Sequence, residues 1–163
     1  MGGETCKDNQ NRLSAGYKLE NLLIRKLKVS DADHISKIQE AIIKGPVTID
    51  YHRVVREEAK RKDGVSFVAE LDGKVVGFMI TYIIYGGFGL EKSAWIGLFG
   101  VDSKYMGSGI GKRLAKEIFD VITERGIKNI FTSARWDSTD LLSFFKSLGF
   151  DRCEFINLKK VID

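Results

Sequence analysis

Residues 101–112 read Val101-Asp102-Ser103-Lys104-Tyr105-Met106-Gly107-Ser108-Gly109-Ile110-Gly111-Lys112, a glycine-rich turn between an apolar run and the start of an amphipathic stretch. Successive backbone N–H groups in such a turn converge on one concavity. The following helix adds partial positive charge at its N-terminus, and the missing side chains let phosphate oxygens approach. Lys112, Arg113 and Lys116 place cations on the first turns of that helix. The bland alternative is a tight strand-to-helix turn in which glycine serves only a positive φ. Three glycines within five residues, next to three cations, favour a phosphate-bearing anion. Two fingerprints fail on spacing: a dinucleotide G-x-G-x-x-G begun at Gly107 needs glycine where Lys112 stands, and a P-loop needs glycine at Met106 and Ser or Thr at Arg113.

Working outward, residues 93–101 (SAWIGLFGV) read as a buried strand in which Gly97 and Gly100 weaken regular pairing and suggest a bulge or a close backbone approach by a ligand. Before it, residues 65–71 and 74–85 form a hairpin about Asp72-Gly73, the dipeptide a type I′ turn prefers, and the long apolar second arm belongs at the centre of its sheet. Gly86-Gly87-Phe88-Gly89 reads as a mobile loop. Nearer the N-terminus come a strand at 22–27 and a helix with a Ser30/Asp33 capping box carrying Ile35, Ile38 and Ile42. A Gly45-Pro46 break follows, then a second amphipathic helix over 51–62 with Val54, Val55 and Ala59 on one face.

On the C-terminal side, Ile110, Leu114, Ile118, Val121 and Ile122 mark a helix closed by Gly126, and a strand is expected at 129–134. Ser138 or Asp137 caps a last helix with Leu141, Leu142, Phe145 and Leu148, ended by Gly149, before a final strand at 153–158. The order βααβββαβαβ predicts an α/β (α+β) domain in three layers, its sheet mixed but mostly antiparallel. Residues 1–20, polar and aperiodic, read as a flexible arm ahead of a single domain at 21–163.

With 163 residues, 44% of them hydrophobic and 29% charged, the chain suits one globular domain and disfavours disorder, collagen or coiled coil as its main architecture. Seventeen glycines against one proline suggest backbone bared at chosen places rather than low complexity. The net charge of +4 is mild, and the basic residues interleave with acidic ones, which suits a small anionic ligand better than nucleic acid. No apolar stretch is long enough for a membrane span and the first residues are too polar for a signal peptide, so a cytoplasmic protein is expected. Cys6 and Cys153 lack metal-type spacing and read as reduced bystanders; no metal is expected.

The stretch at 101–112 resembles the acetyl-CoA signature of the GNAT superfamily of N-acetyltransferases, in which a strand ends in Val and a short turn leads through Q/R-x-x-G-x-G/A into a long helix. Gly109-Ile110-Gly111 match the end of that pattern, and Met106 stands at its Q/R position. Residues 138–150 (STDLLSFFKSLGF) are similar to the family's N-x-x-A-x-x-L-Y-x-K-x-G-F segment, with Leu148-Gly149-Phe150 in register.

The resemblance spans residues from about 22 to 160 and implies a three-layer fold with two splayed central strands, 93–101 and 129–134, that admit the pantetheine arm of acetyl-CoA. By that match Phe99, Gly100 and Val101 lie along the pantetheine, an N–H near them polarises the thioester carbonyl, and Gly107, Ser108, Gly109, Ile110, Gly111 and Lys112 surround the pyrophosphate, with Met106 before them also among the cofactor-binding residues. Ser138, in the place of the family's Asn, adds one hydrogen bond. The implied reaction is direct attack of a primary amine, on a small molecule or a protein, upon acetyl-CoA.

The family's usual acid, a Tyr, is Phe145 in this chain, and no Glu lies within 93–101 where many relatives carry a base. Glu91, Asp137 and Tyr85 are therefore the catalytic candidates, with Tyr82 beside Tyr85 on the neighbouring strand; each also reads as a surface or packing residue. His52 is a candidate for the acceptor site. A second reading follows from Phe145: a non-catalytic module that binds acyl-CoA and regulates. The expected partners are acetyl-CoA and an amine acceptor, without nucleic acid or membrane, and a homodimer is among the open oligomeric states.

Overall fold

The computed structural model describes residues 19–43 and 48–162. The expected arm up to residue 18 and the Gly45-Pro46 break lie outside them. The described chain runs β1 (Leu22–Lys26), α1 (Ala32–Ile42), α2 (Tyr51–Ala59), β2 (Phe67–Leu71), β3 (Lys74–Tyr85), β4 (Lys92–Val101), α3 (Ile110–Glu124), β5 (Ile130–Thr132) and α4 (Thr139–Ser147). One sheet takes the strands in the order β1-β2-β3-β4-β5, antiparallel as far as β4 and parallel between β4 and β5. The mixed three-layer arrangement is the one expected, with the long apolar β3 in the middle.

The alternation of β3 explains both layers. Val76, Met79 and Ile83 pack on one face with Ile110, Leu114, Ile118 and Ile122 of α3, while Val75, Phe78 and Ile80 pack on the other with Ile35 and Ile38 of α1 and Val55 of α2. Asp72 and Gly73 both have positive φ, 49° and 79°, as a type I′ turn requires.

Several expectations change. α1 is started by Asp31 rather than by a Ser30/Asp33 box: its carboxylate accepts the Lys28 N–H at 2.8 Å at the end of the 3-10 turn Val29–Asp31. α2 stops at Ala59, three residues early, because the chain turns through Lys60 and Arg61 toward the glycine at 64. The loop at 86–89 is anchored, since the Phe88 ring stacks on Phe131 at 4.3 Å and on Trp95 at 5.9 Å. No strand forms at 153–158. Phe155 packs its ring against Phe88 and Phe131, but Ile156 and Leu158 lie exposed, so that stretch has no buried face to hold a ladder.

Candidate functional site

β4 and β5 pair at Ala94↔Ile130, Trp95↔Phe131 and Ile96↔Thr132, and the Thr132 hydroxyl closes the ladder by donating to the Ile96 carbonyl at 3.0 Å. The pairing ends there because β5, expected to run to 134, stops at Thr132. Gly97 is the extra residue of a bulge, because Thr81 opposes Ile96 and Ile80 opposes Leu98. Residues 97–101 therefore keep β3 on one side and, among the described residues, have no strand on the other.

Which of their groups are free follows from strand alternation. Asp102 donates its N–H to Val76 of β3 at 2.8 Å, so Gly100 also faces β3, whereas Phe99 and Val101 direct their N–H groups to the open side. The Phe99 carbonyl on that side receives Gln39 of α1 at 3.4 Å. Phe99 and Val101 thus stand where a pantetheine amide could pair. Gly100 does not: its N–H is turned inward, and a Cβ there would meet Phe78 at 2.8 Å and Ile38 at 3.2 Å, so glycine serves packing at this position.

The turn that follows is open. Gly107 and Gly109 adopt φ of 78° and 88°, and a Cβ at either would meet nothing within 4 Å. Met106 N–H bonds to Ser103, Ser108 N–H to Tyr105 and Arg113 N–H to Gly109. The N–H groups of Gly107, Gly109, Ile110, Gly111 and Lys112 have no acceptor among the described residues, the last three because they form the first turn of α3. These donors and the α3 N-terminus face one open turn, a geometry that can take a phosphate-bearing anion. The Ser108 hydroxyl is turned back to the Tyr105 carbonyl, leaving its N–H and Oγ committed. Met106 is exposed beside the cradle.

Gly111 has a further reason to be glycine: its Cβ would lie 2.9 Å from both Phe99 and Phe144, whose rings stack at 4.6 Å and join β4 to α4. Of the nearby cations, Lys112 and Arg113 are exposed and unpaired among the described residues, while Lys116 is held by Asp120. Ser138 precedes α4 without making a side-chain cap, so its hydroxyl is uncommitted.

The expected bases scatter. Tyr85 is 64% exposed at the far end of β3, its ring under the Lys92 ammonium, and Glu91 lies in the same hairpin loop, six residues from the bulge. Asp137 is bound by Arg135 at 2.6 Å, and that guanidinium lowers its pKa, which makes it a poorer proton acceptor. Phe145 is buried among Phe99, Phe144 and Phe150, a core residue rather than part of the site. His52 pairs with Asp33 at 3.5 Å on the outer surface.

Sequence reasoning passed over Glu58. It lies on the buried face of α2, where an apolar residue is the default, and its side chain is only 3% exposed. One oxygen accepts the Ser66 hydroxyl at 3.2 Å, and the other has Arg61 Nε at 4.0 Å. Burial pushes its pKa above the ordinary carboxylate value, with the Ser66 bond pulling the other way, and Tyr82 is likewise raised by burial and by the charge of Glu58.

The Tyr82 ring occupies the space a Cβ on Gly97 would need. Gly97→Ala is expected to cost about 1–3 kcal/mol by overpacking. In thermal unfolding of the four proteins of a Gly97→Ala/Tyr82→Ala cycle, the two losses should be less than additive; simple additivity would show that Tyr82 is not the neighbour that gives way.

The raised Glu58 pKa also sets a sign for stability. The folded protein holds this proton more tightly than the unfolded chain, so the stabilisation is complete below the unfolded value near 4.5 and is lost as pH rises through the folded value. Melting temperatures measured from pH 4 to 8 should show Glu58→Gln gaining on the wild type as pH rises, with parallel curves excluding the linkage.

A mixed five-stranded sheet with flanking helices, an open edge on β4 and a glycine-rich turn at the α3 N-terminus is the arrangement that the resemblance to CoA-dependent acetyltransferases implies. The GNAT acetyltransferase family model matches residues 32–150, and the chain belongs to that family. It is 28% identical over 134 residues to an N-alpha-acetyltransferase of Sulfurisphaera tokodaii, covering 78% of each chain. It is 29% identical over 113 residues to the mycothiol acetyltransferase of Amycolatopsis mediterranei, covering 68% of this chain but spanning only 38% of that protein. A solved aminoglycoside N-acetyltransferase in complex with CoA superposes with a TM-score of 0.73 at 17% identity, covering 86% of this chain and 94% of the other. Among the described residues no cluster of His, Cys, Asp and Glu could hold a metal ion, and no helix is long and apolar enough to cross a membrane.

Proposed function

We propose that the protein transfers the acetyl group of acetyl-CoA to a primary amine. The observation that carries this reading is the run of N–H groups without acceptors at 107 and 109–112, continuous with the unpaired edge of β4. Bound there, acetyl-CoA supplies the activated acetyl group: the amine nitrogen bonds to the thioester carbonyl carbon, the C–S bond breaks, and the proton shed by the amine ends on the thiolate, directly or through water. The cradle N–H groups and Lys112 hold the pyrophosphate. The Phe99 and Val101 N–H groups face the pantetheine side, and a preorganised donor aimed at the carbonyl oxygen contributes about 3 kcal/mol of rate acceleration in comparable sites. With Phe145 buried and Asp137 paired, the chain relies on positioning and on solvent as proton carrier.

The test is a thiol-release assay with acetyl-CoA and a panel of primary amines, alongside calorimetric acetyl-CoA binding. Turnover on at least one amine is expected. Tight binding without turnover on any would instead favour the non-catalytic acyl-CoA module that Phe145 suggests, and absence of binding would remove both readings.

A further inference from the structure

The acceptor side of this reading has its own structural candidate on the face of the sheet that carries α1 and α2. A cavity of about 410 Å³ lies between α2 and β3, lined by Arg53, Val54, Glu57, Glu58, Arg61 and Tyr82. That volume falls within the range of small-molecule sites. It adjoins the cofactor edge through one residue, Tyr82, whose ring covers Gly97 immediately after the last β4–β5 pair. Tyr82 is thus the residue that the cavity and the open edge of β4 share.

The lining has a definite charge pattern. Glu58 is a buried carboxylate that accepts one hydrogen bond, from Ser66, and its second oxygen is paired only with Arg61 Nε at 4.0 Å, beyond hydrogen-bond distance. A buried carboxylate paired at that distance is incompletely compensated and gains from a closer cation. Glu57 is exposed on the same helix, and its side chain has no partner among the described residues, nor has that of Arg53; Arg61 is shared loosely between Asp63 at 3.6 Å and Glu58 at 4.0 Å. Two carboxylates and two guanidiniums cancel, so the cavity has no net charge with which to draw a polycation. It matches a molecule that carries one ammonium and one carboxylate.

Resting on the acetyltransferase reading above, we propose that this cavity is the acceptor site and that it selects amines bearing a carboxylate, with Glu57 and Glu58 receiving the ammonium and Arg53 and Arg61 the carboxylate. Such a ligand can be a free amino acid or a peptide whose N-terminal amine is followed by an acidic residue. Val54 and the Tyr82 ring supply the apolar wall between the two charged ends.

The experiment measures amine binding by calorimetry on the full chain saturated with acetyl-CoA or, if acetyl transfer interferes, with CoA. The probes are L-leucine, L-leucinamide, a Leu-Asp peptide amide and spermidine. Acetyl-CoA affinity is measured first and reports only on the cofactor assignment. L-leucine or the Leu-Asp peptide amide should bind at least tenfold more tightly than leucinamide and spermidine, and which of the two wins identifies the source. Glu58→Gln and Arg53→Gln should each weaken that binding at least tenfold while acetyl-CoA affinity stays within twofold. Arg53 is exposed, so its variant folds even if the Glu58 variant does not. Leucine and the Leu-Asp peptide amide both binding no more tightly than leucinamide, unchanged binding in Arg53→Gln, or no amine binding by a protein that still binds acetyl-CoA would each overturn the proposal and leave the acetyl-CoA assignment standing.

Discussion

Gly109→Val is expected to weaken acetyl-CoA binding at least a hundredfold, about 2.8 kcal/mol, while the protein still folds. The reasoning combines two facts about one residue. Gly109 sits at φ 88° as the residue that leads into α3, a conformation that a β-branched side chain tolerates only at a cost of about 1–3 kcal/mol. A Cβ there meets no protein atom within 4 Å, so the new side chain does not disturb the core but projects into the space that the unpaired N–H groups face. Gly126→Val is the matched control: it too has positive φ and an open Cβ, yet it lies at the C-terminal end of α3. Both variants should lose a similar few degrees of melting temperature, and only Gly109→Val should lose the ligand. Undiminished acetyl-CoA affinity in Gly109→Val would overturn the cradle assignment.

Residues 101–112 are legible in the sequence because they carry their conformation locally: positive φ needs glycine, the apolar period after Ile110 needs a helix, and neither depends on distant neighbours. The β3 hairpin is legible for the same reason, through Asp72-Gly73. Where glycine answers to tertiary packing, the sequence is silent about the cause. Gly97, Gly100 and Gly111 look alike in one dimension, but the first yields to Tyr82, the second to Phe78 and Ile38, and the third to Phe99 and Phe144.

Glu58 is hidden by its own pattern, since an acidic residue on an amphipathic helix ordinarily lies on the wet side. The segment 153–158 misleads in the opposite way. Its β-forming residues need a partner edge and a buried face, and the structure supplies contacts for Phe155 only.

Asp31→Ala is expected to destabilise the fold by about 3 kcal/mol. Arg25 on β1 holds Asp31 through two parallel bonds of 2.8 and 2.9 Å and reaches Glu70 of β2 with Nε at 2.6 Å. The Asp31 side chain is 4% exposed and that of Arg25 17%, so little water screens the pair, and the Arg25 pKa is raised further by these partners. Removing Asp31 leaves a largely buried guanidinium with one carboxylate and also strips the Lys28 N–H of its acceptor.

The exposed Lys116–Asp120 pair, by contrast, adds little to stability, because solvent screens it. At about 2–4 °C per kcal/mol for a chain of this size, Asp31→Ala should lower the melting temperature by about 6–12 °C, and Asp120→Ala by about 1 °C. Asp31→Asn separates the two contributions, since its amide oxygen still accepts from Lys28 while its charge is gone. An intermediate loss is expected. If Asp31→Asn melts with the wild type, the N–H acceptor alone explains the effect, and the ion pair that joins β1, β2 and the start of α1 contributes nothing to stability.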